Sequence, residues 1–534
     1  MTSSAIRQYP IEPIATHSPI NKALAEALLE SVAQYRTQLQ GRRIWLACSG
    51  GRDSLALAAL CLQLYRQGKL PFLPQLLHVD HGWQADSRYW AAHVAKWAQV
   101  QQLPCQVLQV KVQGTDEQAA RQARYKAMRT HINQEDVLLL AHHADDQAET
   151  VLMRLIQGAG VNGLSGMQSW RVQEEGVQRN ILWRPWLSVR RTAITAYAEQ
   201  LKLPYIDDPT NDSGDNVRSG LRHEVLPLLS AYNTNVIENI ARSAQLLTDA
   251  QASLSAQAEQ DLQQTAISAL ECSSAQRVLD IDELHTLPIY RQRQLLHYWL
   301  TQDEPLPPSK QLVDDVLTLT QRDDHDHQTQ LDWQGRTQQY SIRRYRQQLY
   351  RLGHTWLAWL TEPTIEQTHT LSESICSSIS LRTGQRHRWQ VEFAADAVSQ
   401  LFSHLQLLLI YQDGSADLKS FISNKNNAKD KIVLRITPLA RQQRVQTALA
   451  TRPQSGKKLY QTLGIPVWLR DSLVVVSVIN SNISINSDID TDDGLPLLLL
   501  SPFESWALGV KKSDADKVGQ QLASVIKNTL HIYD

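Results

Sequence analysis

The chain has 534 residues, more than one hydrophobic core can hold, so two or three domains are expected. Its hydrophobic content of 42% is that of an ordinary globular protein, and a net charge of −1 restricts any nucleic-acid-binding surface to a local basic patch. The five cysteines include no C-x-x-C pair, which argues against a disulfide framework or a thiolate metal site and fits a reducing compartment.

The N-terminal stretch MTSSAIRQYPIEPIATHSPI lacks the basic start and apolar run of a secretory signal. Apolar runs elsewhere, such as residues 497–500, are far shorter than the ~20 residues that a membrane span needs. We therefore expect a cytoplasmic protein without a membrane association.

A helical pattern over residues 21–39 is followed by apolar runs that alternate with longer helical patterns. The runs RRIWLACS, PQLLHVD, CQVLQVKV and DVLLLAHH predict strands, and the intervening segments predict helices. This alternation predicts an α/β domain over residues 1–232 with a doubly wound, mostly parallel, Rossmann-like sheet. Ligands of such sheets bind beyond the carboxyl ends of the strands, where the unusual residues of this chain lie.

Two further domains are predicted after the first. Residues 233–366 show long amphipathic patterns that predict a mainly helical domain ending in short strands. The polar, Ser- and Thr-rich segment 367–378 is typical of a linker, and residues 379–534 predict a small mixed α/β domain. Its two polar inserts, residues 423–431 and 480–494, are expected to be solvated loops.

The segment SGGRDS, residues 49–54, follows the first predicted strand and opens a helix. Glycines let backbone N–H groups approach a ligand closely, and a helix N-terminus favours an anion, so the loop predicts a phosphate site. Asp53 would repel a bare phosphate but suits a Mg²⁺ ion that bridges it to pyrophosphate. The alternative is a tight turn in which Asp53 only caps the helix.

The segment AHHADDQAET places His142, Asp145, Asp146 and Glu149 at the spacing of one helix face. Packed acids repel each other, so this face implies a cationic partner such as Mg²⁺ or an ammonium group. Two alternatives stay open, a divalent-metal hydrolase site and a plain surface charge cluster. Which of His142 and His143 faces the site is also open.

Several arginines and aromatic residues could contact phosphates or bases. Arg121 shares a helix face with Arg124 and Tyr125, which suits either a phosphate contact or a surface salt bridge. Other arginines collect in the last third of the first domain, and basic and aromatic residues interleave over 333–351, which suits RNA or a solvated hairpin.

The loop SGGRDS resembles the PP-loop of the ATP pyrophosphatase superfamily, whose members cleave ATP between its α and β phosphates. Within it, the chain resembles the tRNA(Ile)-lysidine synthetase family through LLHVDHGWQADS, EQAARQARYKAM, LLLAHHADDQAETVLMRLIQGAGVNGLSGM, RPWLSVRR and DDPTNDSGDNVRSGLRHEVLPLL. Ser219 stands where this family usually has Asn, between the retained Arg218 and Arg222.

This resemblance implies an ATP-dependent ligase that joins L-lysine to carbon 2 of the wobble cytidine of tRNA(Ile) with a CAU anticodon. ATP and Mg²⁺ would be required, and a homodimer is compatible with the sequence. The implied site residues fall into overlapping groups: for ATP, Ser49, Gly50, Gly51, Arg52, Asp53 and Ser54; for the metal, Asp53; for catalysis, Asp53, Arg121, Asp146 and Glu149; for lysine and tRNA, His142, Asp146, Glu149, Arg218 and Arg222. The alternatives are another tRNA-modifying PP-loop enzyme, such as a thiolase, and a His/Asp metal-dependent hydrolase.

Overall fold

The computed structural model describes residues 9–80, 82, 87–110, 117–175, 178–206, 217–322, 330–364, 366–372, 377–384, 386–393, 431–479, 495–508 and 526–532. The chain divides into two compact units, Met1–Ala256 and Gln257–Asp534. Among the helices within these ranges, none is both long and apolar enough to cross a membrane.

A six-stranded sheet forms the centre of the first unit, in the order β3-β2-β1-β4-β6-β5. The pairs β2–β3, β1–β2, β1–β4 and β4–β6 are parallel, whereas β5 is an antiparallel edge strand on β6. The strands are β1 (Ile44–Ala47), β2 (Gln75–Asp80), β3 (Cys105–Gln109), β4 (Val137–Leu139), β5 (Trp170–Glu175) and β6 (Gln178–Trp183). The predicted doubly wound, mostly parallel sheet is confirmed.

Helices connect these strands and cover both faces of the sheet. Their bounds are α1 (Lys22–Gln34), α2 (Arg36–Leu39), α3 (Arg52–Arg66), α4 (Ser87–Gln101), α5 (Glu117–His131), α6 (Ala144–Ile156), α7 (Val161–Leu164), α8 (Arg191–Gln200), α9 (Val217–Gly220), α10 (Leu226–Tyr232) and α11 (Val236–Thr265), with one turn of π-helix at Leu221–Val225.

Alternate residues of the central strands enter two different cores, one on each side of the sheet. Leu46 and Leu139 pack in a large cluster with the apolar residues of α3, of which Leu55 to Leu62 are buried. Trp45 and Leu138 point to the other face. They pack with Met128 of α5 and with Ile132, which directly follows that helix. Burial on both faces explains why the strands are continuous apolar runs in the sequence.

The described residues of the second unit form three sheets. Antiparallel strands in the order β7-β10-β9-β8 accompany the helices, and two further sheets have the orders β11-β14-β15-β16-β17 and β12-β13-β18. The strands are β7 (Gln276–Asp280), β8 (Gln330–Gln334), β9 (Gln339–Tyr345), β10 (Gln348–Gly353), β11 (Gln367–Ser372), β12 (Ser377–Thr383), β13 (His387–Phe393), β14 (Lys431–Pro438), β15 (Val474–Ile479), β16 (Leu495–Leu500), β17 (Ser505–Ala507) and β18 (Ile526–Ile532). The helices are α12 (Ile281–Thr286), α13 (Ile289–Thr301), α14 (Lys310–Thr320), α15 (His354–Thr361) and α16 (Gly456–Leu463), with 3₁₀ turns at Ser268–Leu270 and Val467–Ser472.

The predicted linker at 367–378 is wrong in its described part. Residues 367–372 form β11, which pairs along its whole length with β14, and β12 begins at Ser377. Apolar residues that alternate with Ser and Thr, such as Leu371 and Ile379, enter the core, so the polar composition belongs to strands with one solvated face. Both polar inserts lie outside the described residues, apart from Lys431 in β14. The predicted domain boundaries at 232 and 366 stay predictions.

Candidate active site

The SGGRDS loop joins β1 to the N-terminus of α3. Gly51 is the N-cap of that helix, so Asp53 is not the cap and its carboxylate is free to face another partner. The Ser54 hydroxyl donates to the carbonyl of Gly51 at 3.0 Å and lies 3.3 Å from the Ser49 hydroxyl, while the N–H of Gly51 donates to Ser49 Oγ at 3.2 Å. The first N–H groups of a helix lack intrahelical partners, so this loop offers backbone and hydroxyl donors to an anion.

Gly50 is required by the shape of the loop. Its φ is +84°, and a Cβ placed on it would lie 2.6 Å from Ile206 Cδ1 and 2.8 Å from Val94 Cγ2. The carbonyl of Gly50 accepts a hydrogen bond from the N–H of Ile206 at 2.9 Å. The loop is therefore held closely against a segment that follows α8.

His143 connects the loop to α6. It is the N-cap of α6 and is only 2% exposed, and its Nδ1 accepts the N–H of Asp146 at 3.3 Å while Asp146 Oδ2 accepts the N–H of His143 at 3.1 Å. Its other nitrogen, Nε2, lies 3.7 Å from Asp53 Oδ2 and 3.4 Å from Asp146 Oδ2. One buried imidazole thus links two carboxylates that stand 93 positions apart in the chain.

These contacts keep both carboxylates ionised. Burial by itself would raise the pKa of Asp53, but the hydrogen bond and charge of His143, with Arg52 and Arg191, lower that pKa to about 2. Burial opposes ionisation of Asp146 as well, but the charges of His143 and Arg218 outweigh it and lower the pKa of Asp146. The two acids therefore present negative charge at neutral pH.

Of the two adjacent histidines, His142 lines the cleft beside the SGGRDS loop, whereas His143 is not among the residues that line it. Arg184 Nε donates to His142 Nδ1 at 3.2 Å. Burial lowers the pKa of His142 to about 3. The positive charges of Arg184, Arg121 and Arg218 also lower this pKa, whereas the negative charge of Asp146 raises it. His142 is therefore neutral in the folded protein.

Glu149 is 1% exposed and is bound by two arginines. Arg218 Nε donates to Oε2 at 2.8 Å, and Arg222 donates from Nε to Oε1 at 2.6 Å and from Nη2 to Oε2 at 3.0 Å. Arg222 Nη2 also lies 3.9 Å from Asp146 Oδ1. Both carboxylate oxygens of Glu149 thus have guanidinium partners. Glu149, Arg218 and Arg222 are not among the residues that line the cleft.

Two other side chains of α6 hold the glycine-containing segment that follows the helix. Gln147 accepts the N–H of Met167 at 2.7 Å and donates to its carbonyl at 2.9 Å. Arg154 Nη1 donates to the carbonyls of Gly163 and Gly166, each at 2.8 Å. Asp145 turns away from the cleft, because it accepts the N–H of Arg191 at 2.8 Å.

A cleft of about 340 Å³ opens between the loop, the ends of β2 and β4, and helices α4 and α5. This volume is within the usual range of small-ligand sites. The residues that line it are Ala47, Cys48, Ser49, Gly51, Asp53, Ser54, His78, Val79, Asp80, Ser87, Trp90, Arg121, Arg124, Tyr125, Met128, Leu140, Ala141, His142, Asp146 and Ile206.

The cleft brings together most of the residues that the sequence singled out, namely Ser49, Gly51, Asp53, Ser54, Arg121, His142 and Asp146. Arg52 lies beside Asp53, with 3.3 Å between its Nε and Oδ1, and its guanidinium is 6.0 Å from the centre of the Tyr205 ring. Four residues that line the cleft were not predicted from the sequence: Ser87, Trp90, Met128 and Ile206. The spacing of Ser87 and Trp90, three residues apart on one helix, was the available signal for that pair.

A magnesium ion fits the donor set of this cleft. Mg²⁺ is typically held by one or two protein carboxylates together with phosphate oxygens and water, rather than by a complete protein cage. Asp53 provides an ionised carboxylate at the phosphate-binding loop. Within the described part of the chain, no group of three or more His, Cys, Asp and Glu side chains is arranged to hold a metal by itself.

Comparison with known proteins places this site in a family. Residues 21–229 match the PP-loop domain family, and residues 279–350 match the TilS substrate binding domain. A tRNA(Ile)-lysidine synthase from Psychrobacter sp. strain PRwf-1 is 38% identical over 539 residues, which covers 95% of this chain and 98% of that protein. This chain belongs to the tRNA(Ile)-lysidine synthase family.

Other members of the tRNA(Ile)-lysidine synthase family match in the same way. The relative from Xanthomonas axonopodis pv. citri is 31% identical over 81% of this chain and 86% of its own length. That from Acinetobacter baylyi is 36% identical over 58% of this chain and 62% of its own length. Every residue that the sequence assigned to the site lies within the segment 21–229, which matches the PP-loop domain. The family resemblance of SGGRDS and its companion motifs is therefore confirmed.

Proposed function

We propose that this chain is an ATP-dependent ligase that joins L-lysine to carbon 2 of the wobble cytidine of tRNA(Ile) carrying a CAU anticodon. The product, lysidine, changes the codon that the tRNA reads from AUG to AUA. The observation that carries this proposal is the nearly full-length relationship to tRNA(Ile)-lysidine synthase. In this chain the SGGRDS loop, which contains the ionised Asp53, follows the parallel strand β1. His143 links Asp53 to the ionised Asp146.

The first step activates the base. Oxygen 2 of cytidine attacks the α-phosphorus of ATP, a P–O bond forms, and the bond to the β-phosphate bridge breaks with pyrophosphate as the leaving group. The first turn of α3, which has no side-chain cap, offers its backbone N–H groups to the phosphates, and the Ser49 hydroxyl lies beside them. Arg121, exposed at the cleft and stacked 5.6 Å from the centre of the Tyr125 ring, is placed to bind a phosphate of ATP or of the adenylate.

Mg²⁺ would be held by Asp53 together with phosphate oxygens. When bound, this ion neutralises negative charge on the phosphates that depart. The role of Asp53 in the protein is to keep a carboxylate ionised at the loop, which its contact with His143 supports.

The second step forms the carbon–nitrogen bond. The neutral ε-amine of lysine attacks carbon 2, and the carbon–oxygen bond to the adenylate breaks with AMP as the leaving group. Because free lysine is an ammonium ion, it must lose one proton before it attacks. We assign Asp146 to orient the lysine ammonium group, because its ionised carboxylate lines the cleft.

Glu149 has a different place in this proposal from Asp146. Its two oxygens are bound by Arg218 and Arg222, so it orders these arginines for contact with the RNA and acts on lysine only through them.

The target base must leave its stack to reach the cleft, because the reacting edge is also its pairing edge.

The two alternative functions are not favoured. Burial raises the pKa of the thiols of Cys48 and Cys61 to about 12, and that of Cys105 to about 11, so these three cysteines are poor sulfur carriers. Cys376 lies outside the described residues. A metal-dependent hydrolase would leave the phosphate-binding loop without a role.

The test is incorporation of radiolabelled lysine into unmodified tRNA(Ile) with a CAU anticodon, in the presence of ATP and Mg²⁺. Asp53→Asn is expected to abolish incorporation, whereas the exposed Asp249→Asn on α11 serves as the matched charge-removal control. Label that depends on ATP and maps to the wobble cytidine supports the proposal. Pyrophosphate exchange without incorporation would indicate another PP-loop adenylation.

A further inference from the structure

The imidazole of His142 has one of its two nitrogen atoms committed to an arginine. Arg184 Nε donates to His142 Nδ1 at 3.2 Å. A guanidinium has no lone pair with which to accept a hydrogen bond, so Nδ1 must be the unprotonated nitrogen of the ring. In a neutral imidazole the proton then resides on Nε2.

Arg184 is itself held in place. It is 7% exposed, its Nη1 donates to the carbonyl of Gln168 at 2.9 Å, and its backbone N–H donates to the carbonyl of Ser169 at 2.7 Å. These contacts fix the guanidinium behind the ring. The orientation of His142 is therefore set by residues that do not themselves line the cleft.

The surroundings also disfavour a protonated ring. The charged groups that face His142 are Asp146 on α6, Arg184 after β6, Arg121 on α5 and Arg218 on α9. Burial and these three cations oppose a positive charge on the imidazole, and together they outweigh the negative charge of Asp146. Since His142 lines the cleft and Arg184 does not, the Nε2 edge is left for the cleft.

We propose that Arg184 is a positioning residue that fixes His142 as a neutral Nε2–H donor, which hydrogen-bonds a phosphate oxygen of ATP or of the adenylate in the cleft. His142 then cannot serve as the base that removes a proton from lysine, because its only unprotonated nitrogen is occupied. This role rests on the proposed function, in which the cleft holds ATP and an adenylated base. The proton of the lysine ammonium group must pass to another acceptor.

The first test compares two substitutions of His142. The side-chain amide of His142→Gln can place an N–H near the position of Nε2, whereas His142→Ala has no donor. We expect His142→Ala to lower kcat for lysidine formation by about 100-fold, as for loss of a donor to a developing anion, and His142→Gln to retain at least about tenfold more activity than His142→Ala. Equal losses in both variants would overturn the proposal, because glutamine replaces a donor but not a base.

The second test reads the tautomer directly. In the full-length protein labelled with ¹⁵N-histidine, the signal of His142, identified by its loss in His142→Gln, should be that of an Nε2–H tautomer from pH 6 to 8. In Arg184→Met the bond that commits Nδ1 is lost, so the ring should show a mixture of the Nδ1–H and Nε2–H tautomers, while burial, Arg121 and Arg218 still hold its pKa below the ordinary value. A wild-type signal from the Nδ1–H tautomer, or an unchanged pure Nε2–H tautomer in Arg184→Met, would contradict the assignment.

These measurements separate two kinds of failure. If the wild-type protein formed no lysidine, the proposed function would fail, yet the ¹⁵N signals would still report on the bond from Arg184 to His142. If Arg184→Met did not fold, which circular dichroism would show, the comparison of glutamine with alanine at position 142 and the wild-type tautomer would decide the question.

Discussion

Arg222 binds Glu149 through two nitrogen atoms, with distances of 2.6 Å from Nε to Oε1 and 3.0 Å from Nη2 to Oε2. Because Arg218 adds a third bond at 2.8 Å, a carboxylate that is 1% exposed ties α6 to α9 and the π-helical turn after it. The paired geometry is the one in which guanidinium and carboxylate groups interact most strongly. This pair therefore connects the acidic helix to the arginines assigned to RNA.

Glu149→Gln should lower the free energy of unfolding by about 3 kcal/mol, because it leaves two partly buried guanidinium groups without their anion. The matched control is Glu238→Gln, which removes a half-exposed carboxylate from Arg190 and should cost less than about 1 kcal/mol. Urea unfolding followed by circular dichroism measures both. Glu149→Gln should also lower lysidine formation, and Arg222→Lys, which retains the charge but loses the paired geometry, should lower it as well. A rise in the KM for lysine in Glu149→Gln alone, with no change of stability, would instead favour direct contact between Glu149 and lysine.

Gly50→Ala should disrupt the loop. A methyl group at φ +84° would lie within 2.8 Å of both Ile206 and Val94, so we expect a loss of about 2–3 kcal/mol in unfolding free energy and at least a tenfold weaker binding of ATP. Gly160→Ala is the control, since a methyl group added there would have no heavy atom within 4 Å and the φ of Gly160 is −81°. Isothermal titration with ATP and thermal unfolding test the pair. Equal behaviour of the two variants would contradict the proposed loop constraint.

Asp53 should make stability depend on pH in the acid range. Its pKa falls from 3.8 to about 2 on folding, so its ionised form stabilises the protein above pH 4, and this contribution is lost as the pH falls towards 2. The shift corresponds to about 2 kcal/mol. Between pH 5 and pH 2.5 the wild type should therefore lose more unfolding free energy than Asp53→Asn, which has no proton to bind. Parallel losses in urea titrations of the two proteins would refute this assignment.

Cys48→Ala tests the sulfur-transfer alternative. The thiol is 1% exposed in the core beneath the loop, and burial raises its pKa to about 12, so it should not act as a nucleophile. We expect lysidine formation within about twofold of the wild type and a loss of about 1 kcal/mol in stability from the vacated volume. Loss of all activity in a variant that remains folded would revive a role for the thiol.

The fold and the phosphate-binding loop could be predicted because their signals are local. Apolar runs alternating with helical patterns define the parallel sheet, and SGGRDS contains within six residues the glycines, hydroxyls and carboxylate of the loop. The predicted linker failed because Ser and Thr are common both in loops and on the solvated faces of strands. Composition alone does not separate these two cases, whereas the pairing of β11 with β14 does.

The partners of the site residues were harder to predict, because they come from distant parts of the chain. The sequence grouped His142, Asp145, Asp146 and Glu149 as one anionic helix face, yet each has its own environment in the structure. Asp145 binds the backbone of Arg191, and Glu149 binds arginines 69 and 73 positions away. Arg184 reaches His142 across 42 positions. Helical spacing identifies neighbours on one helix, but not which tertiary partner each of them meets.

The core of the second unit has a consequence for shortened forms of the chain. Trp356 and Trp359 of α15 pack in one continuous cluster with residues from the C-terminal sheets, including Ile379 and Val474. Arg382, buried beside them, donates to the carbonyls that end α15. Removing residues 367–534 would uncover a large apolar face that includes both tryptophans, and such faces promote aggregation. A premature stop in this region should therefore yield an insoluble, degraded polypeptide rather than a smaller enzyme with altered tRNA preference.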